Sequence, residues 1–215
     1  MNESDALDVI RNSGSVILST REFSMLANIS SSFASQMLRR LAAKKKLTRL
    51  FQGLWADTQN PHFSPYQVVP FLTRPHLAAV SLLSALHLHG MIEQIPQVIY
   101  VVSTALTKKV KTPVGDYSIH QISPDFFEGY EYYPAKDFLM ASPEKALVDC
   151  VYLSARKRNR FVTLPEIYFP KNFSRRRAFV WVNQIAYPRL REAVRGRLDK
   201  FLFINKSNCV SLKNC

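Results

Sequence analysis

Ser32, Ser35, Gln36, Arg39 and Arg40 are spaced so that a helix gathers them on one side, and their side chains hydrogen-bond base edges and phosphates of duplex DNA. Arginine suits guanine and glutamine suits adenine in the major groove. Ala34, Met37, Leu38 and Leu41 follow the i, i+3, i+4, i+7 pattern of an opposite face turned to a core. The serine cluster Ser30-Ser31-Ser32 opens this helix. Upstream, Thr20 is expected to cap a shorter helix, with Glu22 in its first turn and Phe23, Leu26 and Ala27 as its apolar stripe; Asn28-Ile29-Ser30 separates the two. Downstream, Lys44-Lys45-Lys46 lead into extended runs at Leu47-Thr48-Arg49-Leu50-Phe51 and Leu54-Trp55-Ala56 around the turn Gln52-Gly53. That order predicts a winged helix-turn-helix. Its expected DNA-binding residues are Ser31, Ser32, Ser35, Gln36, Arg39, Arg40, Lys44, Lys45, Lys46, Arg49 and Gln52, and the cations of the wing suit phosphate contact.

Catalytic chemistry finds less support. His87 and His89 with Asp149 and Cys150 suggest a metal or a nucleophile, but residues two apart on a helix point about 200° from each other and cannot hold one ion together. His89 before Gly90 is expected in a helix's last turn, bonding or capping its carbonyls, and Asp149 as a structural partner for a buried arginine, histidine or backbone donor. Six scattered glycines make no phosphate loop, and Asp116, Glu128, Glu131 and Asp137 follow no two-metal pattern. The expectation is a non-enzyme without metal or cofactor.

The elements that position these residues divide into two predicted domains. The winged domain covers residues 1–57, with a helix over 4–12 and a Val16-Ile17-Leu18 run able to pair with the wing. Residues 57–65, with Asn60-Pro61 and Ser64-Pro65, read as a linker. A mixed α/β domain over 66–215 follows, so the fold class is α+β. In it, Pro75 opens a helix running to a stop at Gly90, and strands are expected over 97–103, 117–122 and 138–141. Ser142-Pro143-Glu144 then starts a helix with a serine cap, a proline at its first position and a carboxylate in its first turn.

The chain of 215 residues is 47% hydrophobic, enough for two small cores. No run reaches the roughly 18 apolar residues of a membrane span, and the polar start Met1-Asn2-Glu3-Ser4-Asp5 lacks a signal-peptide pattern, so a cytoplasmic location is expected. Cys150, Cys209 and Cys215 have no zinc spacing, and Cys150 reads as a buried thiol. The net charge of +13 is concentrated: residues 1–59 carry +3, residues 60–150 carry −2 and residues 151–215 carry +12. So local an excess attracts nucleic acid or an acidic protein.

The order of the small winged unit ending in "LTRLFQGLWAD", then "AAVSLLSALHLHGM", "VIYVVS" and "FLMASPEKALVDCVYL" resembles the AbiEi family of antitoxins, transcriptional regulators of phage-defence systems. The resemblance covers roughly residues 5 to 155. Its most telling pieces are Ser84-Ala85-Leu86 with His89-Gly90, and Ser142-Pro143-Glu144-Lys145-Ala146-Leu147 with Asp149. It implies an N-terminal domain that binds operator DNA and represses its own operon. It also implies a C-terminal domain that aids repression and counters a nucleotidyltransferase-like AbiEii toxin without a stable complex.

The last third departs from that pattern. Basic helices are expected from about residue 156, carrying Arg156, Lys157, Arg158 and Arg160, then Arg175, Arg176 and Arg177, then Arg189, Arg191, Arg195 and Arg197 around Leu190, Val194 and Leu198. This is a candidate second surface for DNA, RNA or an acidic protein. Phe179 and Trp181 can stack on bases there or belong to the core. Two functions follow: a sequence-specific repressor and antitoxin, a monomer in solution or a weak dimer, that binds inverted repeats in two copies with help from the basic C-terminus, or an RNA- or protein-binding adaptor whose basic C-terminal helices dock an acidic partner and that does not read DNA sequence.

Overall fold

The computed structural model describes residues 1–133, 137–156, 161 and 163–211, with residues 204–211 by backbone alone. It is an α+β fold with two sheets and two compact units, Met1–Val68 with Lys111–Asp116, and Val69–Val110 with Tyr117–Cys215.

In the first unit, helix α1 (Glu3–Asn12) starts on a capping box between Asn2 and Asp5, and buries Ala6 and Ile10. Strand β1 (Ile17–Ser19) leads directly into α2 (Thr20–Leu26). The cap of α2 is Ser19, which corrects the expectation of Thr20: the Glu22 N–H donates to the Ser19 hydroxyl at 3.1 Å, and the Glu22 carboxylate accepts from the Ser19 N–H at 2.6 Å. Only Ser19 has a carboxylate three residues on; the same offset from Thr20 falls on Phe23, which the core needs. Thr20 instead accepts the Trp55 indole N–H at 2.9 Å. The chain turns at Asn28 (φ 50°), and Ser30 caps α3 (Ser31–Ala43).

Strands β2 (Thr48–Phe51) and β3 (Leu54–Ala56) form an antiparallel hairpin with Gly53 in the left-handed region (φ 75°). β1 pairs antiparallel with the other edge of β3, as expected for the run before α2, giving the order β1-β3-β2. Leu18, Phe23, Leu38, Leu41 and Trp55 close one core beneath these elements; emptying the Phe23 position would cost about 3–5 kcal/mol. The segment read as a linker begins tied to this unit: the Asp57 N–H donates to the Val16 carbonyl at 2.9 Å, and the Gln59 amide to the Lys45 carbonyl at 3.0 Å.

The second unit corrects a larger expectation. Ala78–Val80 form strand β4, and the helix expected from Pro75 begins only at Leu82, as α4 (Leu82–Leu88). β4 lies between β5 (Ile99–Ser103), antiparallel, and β9 (Leu139–Ala141), parallel. A short apolar run fits strand or helix equally, and pairing on both edges decides for strand. Leu82 adopts φ 56°, the pivot between β4 and α4, and Gly90 (φ 67°) ends the helix as its position suggested. The remaining strands are β6 (Lys108–Thr112), β7 (Gly115–Gln121) and β8 (Tyr130–Tyr132), in the six-stranded order β6-β7-β5-β4-β9-β8.

Helix α5 (Pro143–Ala155) is capped by Ser142, whose hydroxyl accepts the Lys145 N–H at 3.2 Å, and is buried from Glu144 to Ser154. α6 (Arg175–Asn183) and α7 (Pro188–Ser211) pack on it through Ala178, Val182, Val194 and Leu198. Among the described residues no helix is long and apolar enough to cross a membrane.

Candidate nucleic-acid interface

The position of α3 follows from its two faces. Ala34, Met37, Leu38 and Leu41 are buried, which leaves Ser31, Ser32, Gln36, Arg39 and Arg40 exposed and Ser35 partly so. The Ser30 hydroxyl accepts the Phe33 N–H at 3.3 Å and lies 3.2 Å from the Ser32 hydroxyl, fixing the first turn. Gln36, Arg39 and Arg40 make no side-chain hydrogen bond or ion pair among the described residues. From Phe23 to Ala56 the sequence contains no carboxylate and carries Arg39, Arg40, Lys44, Lys45, Lys46 and Arg49. A cationic surface with unspent donors suits a polyanion.

The cations beyond α3 are not equivalent. Lys44 is paired with Glu3 of α1 at 2.8 Å. The hydrogen bond from Lys44, with Lys46 and Arg40 nearby, holds the Glu3 carboxyl below its ordinary range. Lys45 and Lys46 are exposed, as are Arg49 and Gln52 on the hairpin. The Arg49 guanidinium lies 5.7 Å from the Trp55 ring centroid, a cation–π contact that limits where it can reach.

The C-terminal arginines are mostly engaged by the fold itself. Arg156 donates to the Gln121 carbonyl, Arg175 to the Leu202 carbonyl and Arg191 to the Ile185 carbonyl. Arg177 meets the buried Glu144 carboxylate at 2.9 Å, Arg195 the Asn183 side chain at 2.6 Å, and Arg197 donates to the Ser154 carbonyl and hydroxyl. Arg176 and Arg189 are exposed with no such partner among the described residues. Lys157, Arg158 and Arg160 lie outside the described residues. Trp181 lies over Gly129, where an added Cβ would come within 2.7 Å of the indole, so Trp181 acts as packing.

A second polar cluster is sealed inside the second unit. Asp149 accepts Lys145 at 2.5 Å, the Ser81 hydroxyl at 2.7 Å and the Tyr130 hydroxyl at 3.0 Å. These partners replace the arginine, histidine or backbone donor expected for Asp149. The Lys145 ammonium also sits 3.6 Å from the Phe126 ring centroid. Burial lowers the lysine's pKa, and Asp149 opposes that shift. Burial pushes the Tyr130 phenol and the Cys150 thiol well above their ordinary values, with Asp149 adding to both.

The His89 ring bonds the Ala141 carbonyl at 2.7 Å, not the carbonyls of its own helix, and its backbone N–H closes α4 on Ala85. Among the described residues no three His, Cys, Asp or Glu side chains are grouped to hold a metal ion. Sequence reasoning overlooked Lys145, Ser81 and Tyr130. Only Lys145, four residues before Asp149, left a trace in local spacing.

The chain matches no protein-family model, and no curated protein matches it.

Proposed function

We propose that the chain is a sequence-specific DNA-binding repressor in which α2 and α3 form a helix-turn-helix, α3 enters the major groove, and the β2–β3 hairpin is the wing. One observation carries this reading: Gln36, Arg39 and Arg40 are exposed on the face of α3 opposite a closed core, in a stretch without carboxylates. Base-reading side chains must be both held and free, and this helix supplies both conditions. So small a unit makes few phosphate contacts, which favours two copies on inverted repeats.

The resemblance to AbiEi antitoxins extends the proposal to autoregulation of an operon and opposition to a nucleotidyltransferase-like toxin. No catalytic role and no cofactor belong to it. The adaptor alternative calls for a free basic C-terminus, and six of its arginines each make at least one internal hydrogen bond or ion pair, which favours the DNA-binding reading.

The test is fluorescence anisotropy of the full chain on duplex DNA from upstream of its own gene and on a scrambled duplex, across a salt series. Preference for its own DNA that persists at physiological salt supports the repressor. Equal and equally salt-sensitive binding to both rejects sequence-specific readout.

A further inference from the structure

We infer that Phe33 reads a thymine methyl group in the major groove. This rests on α3 being the DNA-reading helix and adds a specificity residue that the polar pattern of α3 does not reveal.

Phe33 is the third residue of α3, in the turn from which helix-turn-helix proteins contact base edges. Its backbone N–H is fixed on Ser30. Around the helix it falls about 60° from Gln36 and about 20° from Arg40, on the margin of the polar face. Phe33 is 37% exposed. It is not one of the buried residues of the unit's core cluster. Covering the exposed part of an apolar side chain is favourable in proportion to its area, so an apolar partner at this position adds affinity.

The neighbourhood defines that partner. With Arg39, Arg40, Lys45 and Lys46 exposed and no carboxylate from Phe23 to Ala56, the opposing surface is anionic. The apolar group that a polyanionic duplex displays in its major groove is the thymine C5-methyl, which phenylalanine contacts.

The experiment selects a preferred site for the full chain from a randomised duplex pool, then replaces each thymine of that site in turn with deoxyuridine. The substitution removes the methyl and leaves base pairing intact. One position is expected to lose about fourfold in affinity, the worth of one buried methyl group. Phe33→Ala should bind the thymine and deoxyuridine forms equally, and Phe33→Leu should keep part of the discrimination. Circular dichroism checks that both variants fold. If every deoxyuridine is neutral, or if Phe33→Ala loses the same factor on both forms, the role of Phe33 is overturned while DNA reading by α3 stands. If the pool yields no preferred site, the DNA reading itself fails and takes this inference with it.

Discussion

Lys145 and Asp149 stand one turn apart on α5, joined at 2.5 Å with neither side chain exposed to water. Removing one member leaves the other charged and buried, which costs about 3–5 kcal/mol. Lys145→Met and Asp149→Asn should therefore each lower the unfolding free energy obtained from urea denaturation by that order. Lys145→Met combined with Asp149→Leu should recover part of the loss but not all, because Ser81 and Tyr130 then lose their acceptor. Single variants with near wild-type midpoints would show that the pair contributes nothing to the fold.

The same cluster should make stability depend on pH in the alkaline range. Cys150 and Tyr130 have folded pKa values above their ordinary 9.0 and 10.0, so above those values the unfolded chain has given up protons that the folded chain keeps. Stability then falls as pH rises. Lys145 works the other way: its pKa is lowered on folding, so between that value and 10.5 the unfolded chain holds more protons and stability rises with pH. Between pH 8 and 10 the slope of stability against pH should therefore be more positive in Cys150→Ala than in wild type. Parallel slopes would remove the thiol as a source.

How far the sequence disclosed this arrangement depended on whether a residue's partner was local. Ala34, Met37, Leu38 and Leu41 gave the buried side of α3 by their spacing, and Ser142-Pro143 gave the start of α5, because helix faces and caps are set within a few residues. Ala78–Val80 misled for the opposite reason: their strand state comes from β5 and β9, some twenty and sixty residues away. Ser81 and Tyr130 meet at Asp149 only through the sheet. Arg175, Arg191 and Arg197 looked free because their acceptors, such as the Ser154 carbonyl, are backbone atoms that no sequence pattern marks.

Arg197 illustrates the consequence. It holds the carbonyl and hydroxyl of Ser154 at the end of α5. Arg197→Ala should destabilise the protein by roughly 1–3 kcal/mol, the cost of leaving such acceptors unpaired, and should not alter the salt dependence of DNA binding. Arg176→Ala with Arg189→Ala, at exposed positions, should leave stability within about 0.5 kcal/mol. Denaturant melts and salt titrations of both variants separate the two roles, and a flattened salt slope for Arg197→Ala would return it to the DNA interface.

Glu3 restrains Lys44, so its removal should strengthen electrostatic binding. In Glu3→Gln the lysine is released beside Lys46 and Arg40, and one added phosphate contact steepens the plot of log affinity against log salt by about 0.9. The gain should be equal on specific and scrambled duplexes, since phosphates carry no sequence information. An unchanged slope would place Lys44 away from the bound DNA.

Arg39 should behave differently from the lysines. It is exposed on α3, lies on the side opposite Met37, Leu38 and Leu41, and has no acceptor among the described residues. A bidentate contact to one guanine predicts that Arg39→Ala loses about 1–3 kcal/mol on the selected site and little on scrambled DNA. Lys46→Ala should instead lose affinity on both duplexes alike and reduce the salt slope by about one. Measuring both variants on both duplexes at two salt concentrations separates base from phosphate contact. Equal losses for Arg39→Ala on the two duplexes would move it to the phosphates and leave Gln36 and Arg40 as candidate base readers on the exposed face of α3.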